Sequence, residues 1–121
     1  MSEKFKPHAA SLVFLMRDNN VLLMKRANTG WLDGFYTIPG GHIDEGEQAS
    51  TAAAREAREE AGVNIHEAGL TCVHIDHRKD FGDDKVYIDF FFVTNTWEGE
   101  PYNAEPEKCS KVAWFDIDNL P

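Results

Sequence analysis

Hydrophobic and polar positions along the chain follow two different rhythms. Residues 8–17 (HAASLVFLMR) and 21–26 (VLLMKR) are aliphatic runs on either side of Asp18-Asn19-Asn20, whose short polar side chains favour turns. They predict a β-hairpin with the stripe Leu12, Phe14 and Met16 in the core. Residues 27–34 (ANTGWLDG) have loop composition, and 35–38 form a short strand closed by Pro39-Gly40-Gly41. The rhythm then changes. Residues 48–61 (QASTAAAREAREEA) are mostly Ala, Glu, Arg and Gln, all strong helix formers, and Gly62 is a natural stop. Residues 63–65, 70–77, 86–97 and 112–117 each have strand character, with a turn-rich acidic loop at 98–110. Strands on both sides of one helix predict an α/β domain with a mixed sheet. One helix cannot cover both faces of a sheet. A second covering helix is therefore expected to be absent, truncated at the C-terminus or supplied by another chain, and a homodimer follows as the expected assembly.

Composition narrows the function. The 121 residues contain no repeat, low-complexity tract or linker, so the expectation is a single domain, 1–121. Lys and Arg number 12 against 21 Asp and Glu, a formal net charge of −9. That balance argues against binding nucleic acid through its phosphates, capped RNA included, and against docking on an anionic membrane. The longest apolar runs, 12–16 and 90–93, fall far short of the roughly 18 residues a membrane span needs. The polar N-terminus lacks a secretory stretch, and Cys72 and Cys109 form no C-x-x-C pair, so a cytoplasmic protein with reduced thiols is expected. A small anionic substrate suits this charge only where a cation neutralises it.

The helix offers a place for that cation. At about 100° per residue, Glu56, Glu59 and Glu60 share one arc, and Ala53, Ala54, Ala57 and Ala61 gather on the next. The small residues let the helix lie close to the sheet, and the acids line the edge of that contact. Three neighbouring carboxylates repel one another, and Arg55 can hold one of them but not all. A hard divalent cation takes oxygen ligands of this kind, and Glu47 could join from the preceding loop. From these residues alone, a solvated acidic face paired with Arg55 and Arg58 is the alternative. His74 and His77 are metal-ligand types, but on a strand they face opposite sides. Neither cysteine has the context of a nucleophile.

From Gly41 the chain reads G-HIDEG-E-QASTAAA-RE-A-R-EE-A-G-V. This resembles the Nudix box, G-x5-E-x7-R-E-U-x-E-E-x-G-U with U apolar. Gly41, Glu47, Arg55, Glu56, Glu59, Glu60 and Gly62 stand at its fixed positions, and Ala57 and Val63 at the apolar ones. The preceding Pro39-Gly40-Gly41-His42 is similar to the family's lead-in. Trp97-Glu98-Gly99-Glu100-Pro101, Trp114-Phe115 and Leu120-Pro121 are similar to MutT-type members.

The resemblance implies an α/β/α sandwich and metal-dependent hydrolysis of a nucleoside diphosphate linked to another group. It implies Glu59 and Glu60 as principal metal ligands, Glu56 as a further ligand or the base, and the Gly41 carbonyl as an additional ligand. Arg55 would orient the glutamates, and Glu47 and Gly62 would brace the box. Glu105 lines up with a further acid from the loop after the Trp-Glu-Gly-Glu-Pro stretch, with Glu98, Glu100 and Glu107 as rivals. Mg²⁺ is the implied cofactor, with Mn²⁺ as its substitute.

Markers that accompany ADP-ribose and dinucleoside polyphosphate hydrolases are absent where Arg78-Lys79-Asp80-Phe81 stand, which favours a nucleoside triphosphate cleaved to a monophosphate and pyrophosphate. ADP-ribose, a nucleotide sugar or a dinucleoside polyphosphate are the alternatives. A non-catalytic nucleotide-sensing module is another, and the complete set of box glutamates counts against it. Trp31, Phe35, Tyr36 and Phe81 are candidates for stacking on a base, and Arg26, Arg78 and Lys79 for meeting phosphates. Ordinary packing and solvated surface are the competing readings. Asn119 stands too early for the base-reading asparagine of MutT proteins.

Overall fold

A computed structural model describes residues 3–80 and 84–121 of the chain. The strands β1 (His8–Arg17) and β2 (Asn20–Arg26) form the expected hairpin, across a turn in which Asp18 is left-handed (φ 55°). They pair only at Met16–Val21 and Arg17–Asn20, and then diverge to recruit different partners. β3 (Tyr36–Thr37) and β7 (Cys109–Asp116) pair antiparallel with β2. β4 (Gly40–His42) pairs antiparallel with one end of β1, while β6 (Val86–Thr94) runs parallel to it from His8–Tyr87 to Leu15–Thr94. β5 (Thr71–Lys79) then pairs antiparallel with β6, with a bulge between Cys72 and His74. The result is a mixed seven-stranded sheet with two wings joined at the hairpin.

The helix α1 (Ala49–Ala61) packs on one face of this sheet. Ala53, Ala57 and Ala61 carry nothing beyond Cβ, so the helix backbone approaches Val13, Leu15, Leu22 and Phe92 closely, and all seven are buried. Burying each of the larger aliphatic side chains contributes about 1.5–3 kcal/mol relative to exposure. The Ser11 hydroxyl, itself buried, donates to the Ala49 carbonyl (2.8 Å) and ties the first turn to β1. At the other end Gly62 takes the left-handed conformation (φ 70°) and donates its N–H to Arg58 O.

Several expectations are corrected. The face of β1 that packs on the helix carries Ser11, Val13 and Leu15, whereas Leu12, Phe14 and Met16 are only half-buried on the other face. A run apolar on both faces does not disclose which parity meets the helix. On the helix, Ala52 rather than Ala54 is buried. Residues 63–65 form no strand: Val63 drops into the core, and only Asn64 makes an isolated bridge, to Glu98. Gly40 and Gly41 belong to a strand rather than a closing turn, and the approach of β1 explains why. A Cβ on Gly40 would lie 2.7 Å from Ser11 O and 2.9 Å from Leu12 Cα. Among the described residues α1 is the only α-helix, and no helix is long and apolar enough to cross a membrane.

Candidate active site

The acidic edge of α1 is organised around Arg55, whose side chain is about four-fifths buried. Its Nε and Nη2 donate to the two carboxylate oxygens of Glu47 (2.7 and 2.9 Å), a bidentate fork that fixes the loop before the helix. Nη2 also donates to His42 O (2.9 Å), which ties β4 to the helix. Nη1 reaches Glu56 (2.9 Å) and, one turn on, Glu59 (3.3 Å). The guanidinium hydrogen bonds and the Asp44 N–H lower the Glu47 carboxyl to about 2, and the Arg55 guanidinium is raised in return.

Glu60 has the opposite surroundings. It is largely buried, and its Oε2 accepts from Gly40 N (3.1 Å). Two carboxyls stand beside it, that of Glu56, which shares a hydrogen bond with it, and that of Glu105. Burial and these like charges push Glu60 up to about 9. Gly41 makes room for this pair, since a Cβ there would lie 2.6 Å from Glu56 Oε1.

Glu105 reaches the site because its loop hangs from the end of α1. Tyr102 N donates to Ala61 O and Ala104 N to Glu60 O (3.0 and 3.1 Å), satisfying carbonyls the helix itself cannot. Tyr102 also covers Gly62, where a Cβ would lie 2.1 Å from its ring. Asn103 braces the loop, donating to Cys109 O and accepting from Glu105 N.

Two cavities meet here. The smaller, about 200 Å³, is lined by Glu56, Glu60 and Glu105 together with Arg26 and Lys108. The larger, about 710 Å³, lies on the sheet face away from α1 and shares Gly40, Arg26 and Glu60 with it. The site residues inferred from the sequence divide accordingly. Glu56, Glu60 and Glu105 come together, whereas Glu59 is half-exposed and held by Arg55 outside both cavities. Glu100 is committed elsewhere, paired with Arg17, whose guanidinium lies over Trp97 and Trp114. Glu98 faces His66, and Glu107 is exposed.

Trp31 lines the larger cavity beside Arg26, which donates to its carbonyl and lies over its ring. Phe35 is 63% exposed and lines neither cavity, so the structure does not place it at the site. Tyr36 packs edge-on against Phe115, and Phe81 lies outside the described residues. Arg78, expected at phosphates, is engaged by Asp89 and Asp80. His74 tilts against Phe91 on the cavity side of β5, and His77, opposite Ile88, faces the other way. Sequence reasoning missed Asp76 and Asp89, which line the larger cavity on neighbouring strands. An acid in an otherwise aromatic strand, as in YIDFFF, is the signal that could have found Asp89.

Among the described residues no group of three or more His, Cys, Asp or Glu side chains stands arranged to hold a metal ion by itself. The donor set still fits a hard cation. Mg²⁺ is ordinarily held through one or two carboxylates completed by water and substrate phosphates, and the Glu56–Glu60 pair supplies those carboxylates. Burial and the Glu56 and Glu105 carboxyls hold Glu60 in its protonated form, and a cation beside it would supply the counter-charge its anion needs.

Residues 6–121 match the NUDIX domain as a family. The chain belongs to the Nudix hydrolases. Enzymes of this family act on phosphoric anhydride bonds and generally use divalent metal ions. The chain is 33% identical over 102 residues to the 8-oxo-dGTP diphosphatase of Proteus vulgaris, covering 83% of this chain and 86% of that one. It is 30% identical over 105 residues to the ADP-ribose pyrophosphatase of Methanocaldococcus jannaschii, covering 87% of this chain but 59% of the relative. Its fold matches that of a MutT Nudix hydrolase from Burkholderia pseudomallei with a TM-score of 0.88 at 26% identity, over 97% of this chain and 88% of that one. The Nudix assignment anticipated from the box at 41–63, and the mixed α/β fold anticipated from strands on both sides of one helix, therefore hold.

Proposed function

We propose that this Nudix enzyme cleaves a nucleoside triphosphate to a nucleoside monophosphate and pyrophosphate, with Mg²⁺ as its cation. The observation that carries this reading is the half-buried Glu56–Glu60 pair, faced by Glu105, at the junction of two cavities. The similarity to an 8-oxo-dGTP diphosphatase over 83% of this chain and 86% of that one supports the choice of a triphosphate.

Glu56, Glu60 and the Gly41 carbonyl are the groups that would hold the cation, with Glu59 turning in from the helix edge. A divalent cation there neutralises phosphate oxygens and acidifies water at the site. The rest falls to the chain. Glu60 gives up its proton when positive charge arrives, because only like charges and burial were retaining it. Arg55 keeps Glu56 and Glu59 in place from behind. Glu105, on its braced loop, takes the proton of the attacking water. The water oxygen bonds to phosphorus, the bridging P–O bond breaks, and pyrophosphate leaves with the electron pair. Arg26 and Lys108 offer positive charge along the smaller cavity to the phosphates.

The test is product analysis with Mg²⁺ over a panel of canonical and oxidised nucleoside triphosphates, ADP-ribose, nucleotide sugars and diadenosine polyphosphates. A triphosphate is expected to be preferred, giving pyrophosphate, and Glu60→Gln is expected to lower its turnover on the order of a thousandfold. Preference for ADP-ribose or a nucleotide sugar would overturn the substrate assignment. Near-normal turnover by Glu60→Gln would overturn the role of the pair.

A further inference from the structure

The floor of the larger cavity carries a second carboxyl pair, away from the box. Asp76 on β5 and Asp89 on β6 are register partners, and the same pleat places Arg78 beside Tyr87 and Ala10 beside Asp89. Asp89 is 2% exposed, and its charge is answered. Arg78 Nε and Nη2 donate to its two oxygens at 2.5 and 3.4 Å, and the guanidinium is held in turn over the Tyr87 ring, 4.3 Å from its centre.

Asp76 makes no such fork: the Arg78 and His74 charges draw on it from nearby, but burial and Asp89 outweigh them. Its carboxyl hydrogen-bonds that of Asp89, which requires one proton between them, and burial with the Asp89 charge pushes Asp76 upward so that it is the acid of the pair. The proton is directed at Asp89, so the remaining Asp76 oxygen is purely an acceptor. That oxygen, Oδ1, is buried and has no hydrogen-bond partner among the described residues. A buried acceptor left unmade is costly, and where it belongs to a cavity wall the missing donor can come from a ligand.

The cavity suits a nucleobase. Leu12, Phe91 and Tyr87 give it apolar and aromatic walls, its volume of about 710 Å³ is ample for a nucleotide, and Glu60 lines it too. A keto oxygen directed at Oδ1 would set acceptor against acceptor, whereas an amino group would complete it. Resting on the reading of the chain as a nucleotide hydrolase, we propose that the Asp76–Asp89 pair selects nucleotides whose base carries an exocyclic amino group, with Asp76 Oδ1 accepting from it. Guanine, adenine and cytosine share this chemistry, and the experiment separates them.

Calorimetric binding of nucleoside monophosphates to the full chain, beside kcat/KM for the corresponding triphosphates with Mg²⁺, tests the assignment. The compared pairs are guanosine with inosine, adenosine with purine riboside, and cytidine with uridine. At least one amino base is expected to lose about tenfold in affinity when the amino group is removed. Asp76→Leu should erase that difference. Asp76→Asn should keep it, since the amide NH₂ donates to Asp89 and the amide oxygen stands in for Oδ1. Pairs that bind the wild type within about twofold of one another would overturn the proposal, as would a difference that survives in Asp76→Leu. If Asp76→Leu does not fold, the wild-type pairs decide. Discrimination in binding without hydrolysis of any triphosphate would refute the hydrolytic reading alone. Hydrolysis indifferent to the amino group would refute this proposal alone.

Discussion

On the helix edge Arg55 gathers Glu47, Glu56 and Glu59 around one guanidinium, and on the sheet floor Arg78 does the same for Asp80 and Asp89. Each cluster has one carboxyl more than its arginine can answer: Glu60 in the first, Asp76 in the second. The two remainders are resolved differently. Asp76 sits beside a carboxylate already held by an arginine, so a single proton settles the pair and leaves one oxygen over. Glu60 faces Glu56 and Glu105 at the meeting of two cavities, where a cation can replace the proton. On the proposed readings, where the arginine stands decides whether the carboxyl left over takes a cation or a hydrogen-bond donor.

The largest effect should come from removing the arginines. Arg55→Ala strips the fork from Glu47 and the ties to Glu56 and His42 at once. It should cost about 3 kcal/mol in urea unfolding and lower turnover by about a hundredfold through misplaced glutamates. Arg78→Ala should cost less, because the hydrogen bond from Asp76 still engages the Asp89 carboxyl, and should leave turnover within about tenfold of normal. A larger stability loss in Arg78→Ala than in Arg55→Ala would break the comparison.

The same contrast explains what could be read from the sequence. The helix cluster is local. Arg55, Glu56, Glu59 and Glu60 stand within two turns, and the 3.6-residue repeat alone places them on one edge. The hairpin turn and the end of the helix at Gly62 were equally local. The sheet cluster depends on pairing across a bulge between Cys72 and His74, and a one-residue slip would turn Asp76 away from Asp89. Nothing in residues 71–94 specifies that bulge. For the same reason periodicity along β1 does not tell Leu12, Phe14 and Met16 from Ser11, Val13 and Leu15: the strand is apolar on both faces, and only its partners decide which meets the helix. Glu105 lies between these cases, since its candidacy came from a resemblance and its placement comes from backbone bonds to Ala61 and Glu60.

Adjacent glycines sharpen the comparison at a smaller scale. A Cβ on Gly40 would press on β1 backbone, which cannot yield without moving the strand. Gly40→Ala should therefore lose about 1–3 kcal/mol of stability, the usual cost of overpacking. A Cβ on Gly41 would have as its nearest neighbours the end of the Glu56 side chain, at 2.6–3.0 Å. Gly41→Ala should lose less than about 1 kcal/mol yet more of its kcat, because the displaced group is the carboxylate itself. Urea unfolding and kcat measured on both variants check the order, which equal stability losses would contradict.

The smallest effect is a slope with pH, and it separates two carboxyls of one helix edge. Glu47 is lowered to about 2 from 4.5, so its contribution to stability is complete above 4.5 and is lost only as pH falls toward 2. Glu60 is raised from 4.5 to about 9, so the folded chain keeps a proton that the unfolded chain releases. Its contribution is complete below 4.5 and drains away as pH rises toward 9. Between about pH 5 and 9 the metal-free protein should therefore lose stability with rising pH through Glu60 while Glu47 stays silent. Urea unfolding in chelator should show this decline in the wild type and a flatter profile in Glu60→Gln, and added Mg²⁺ should restore most stability at the alkaline end, where the carboxylate is free to take the cation in place of the proton. Identical slopes in the two proteins would mean that the proton resides elsewhere in the Glu56–Glu60–Glu105 group, and that the metal competes with a different carboxyl.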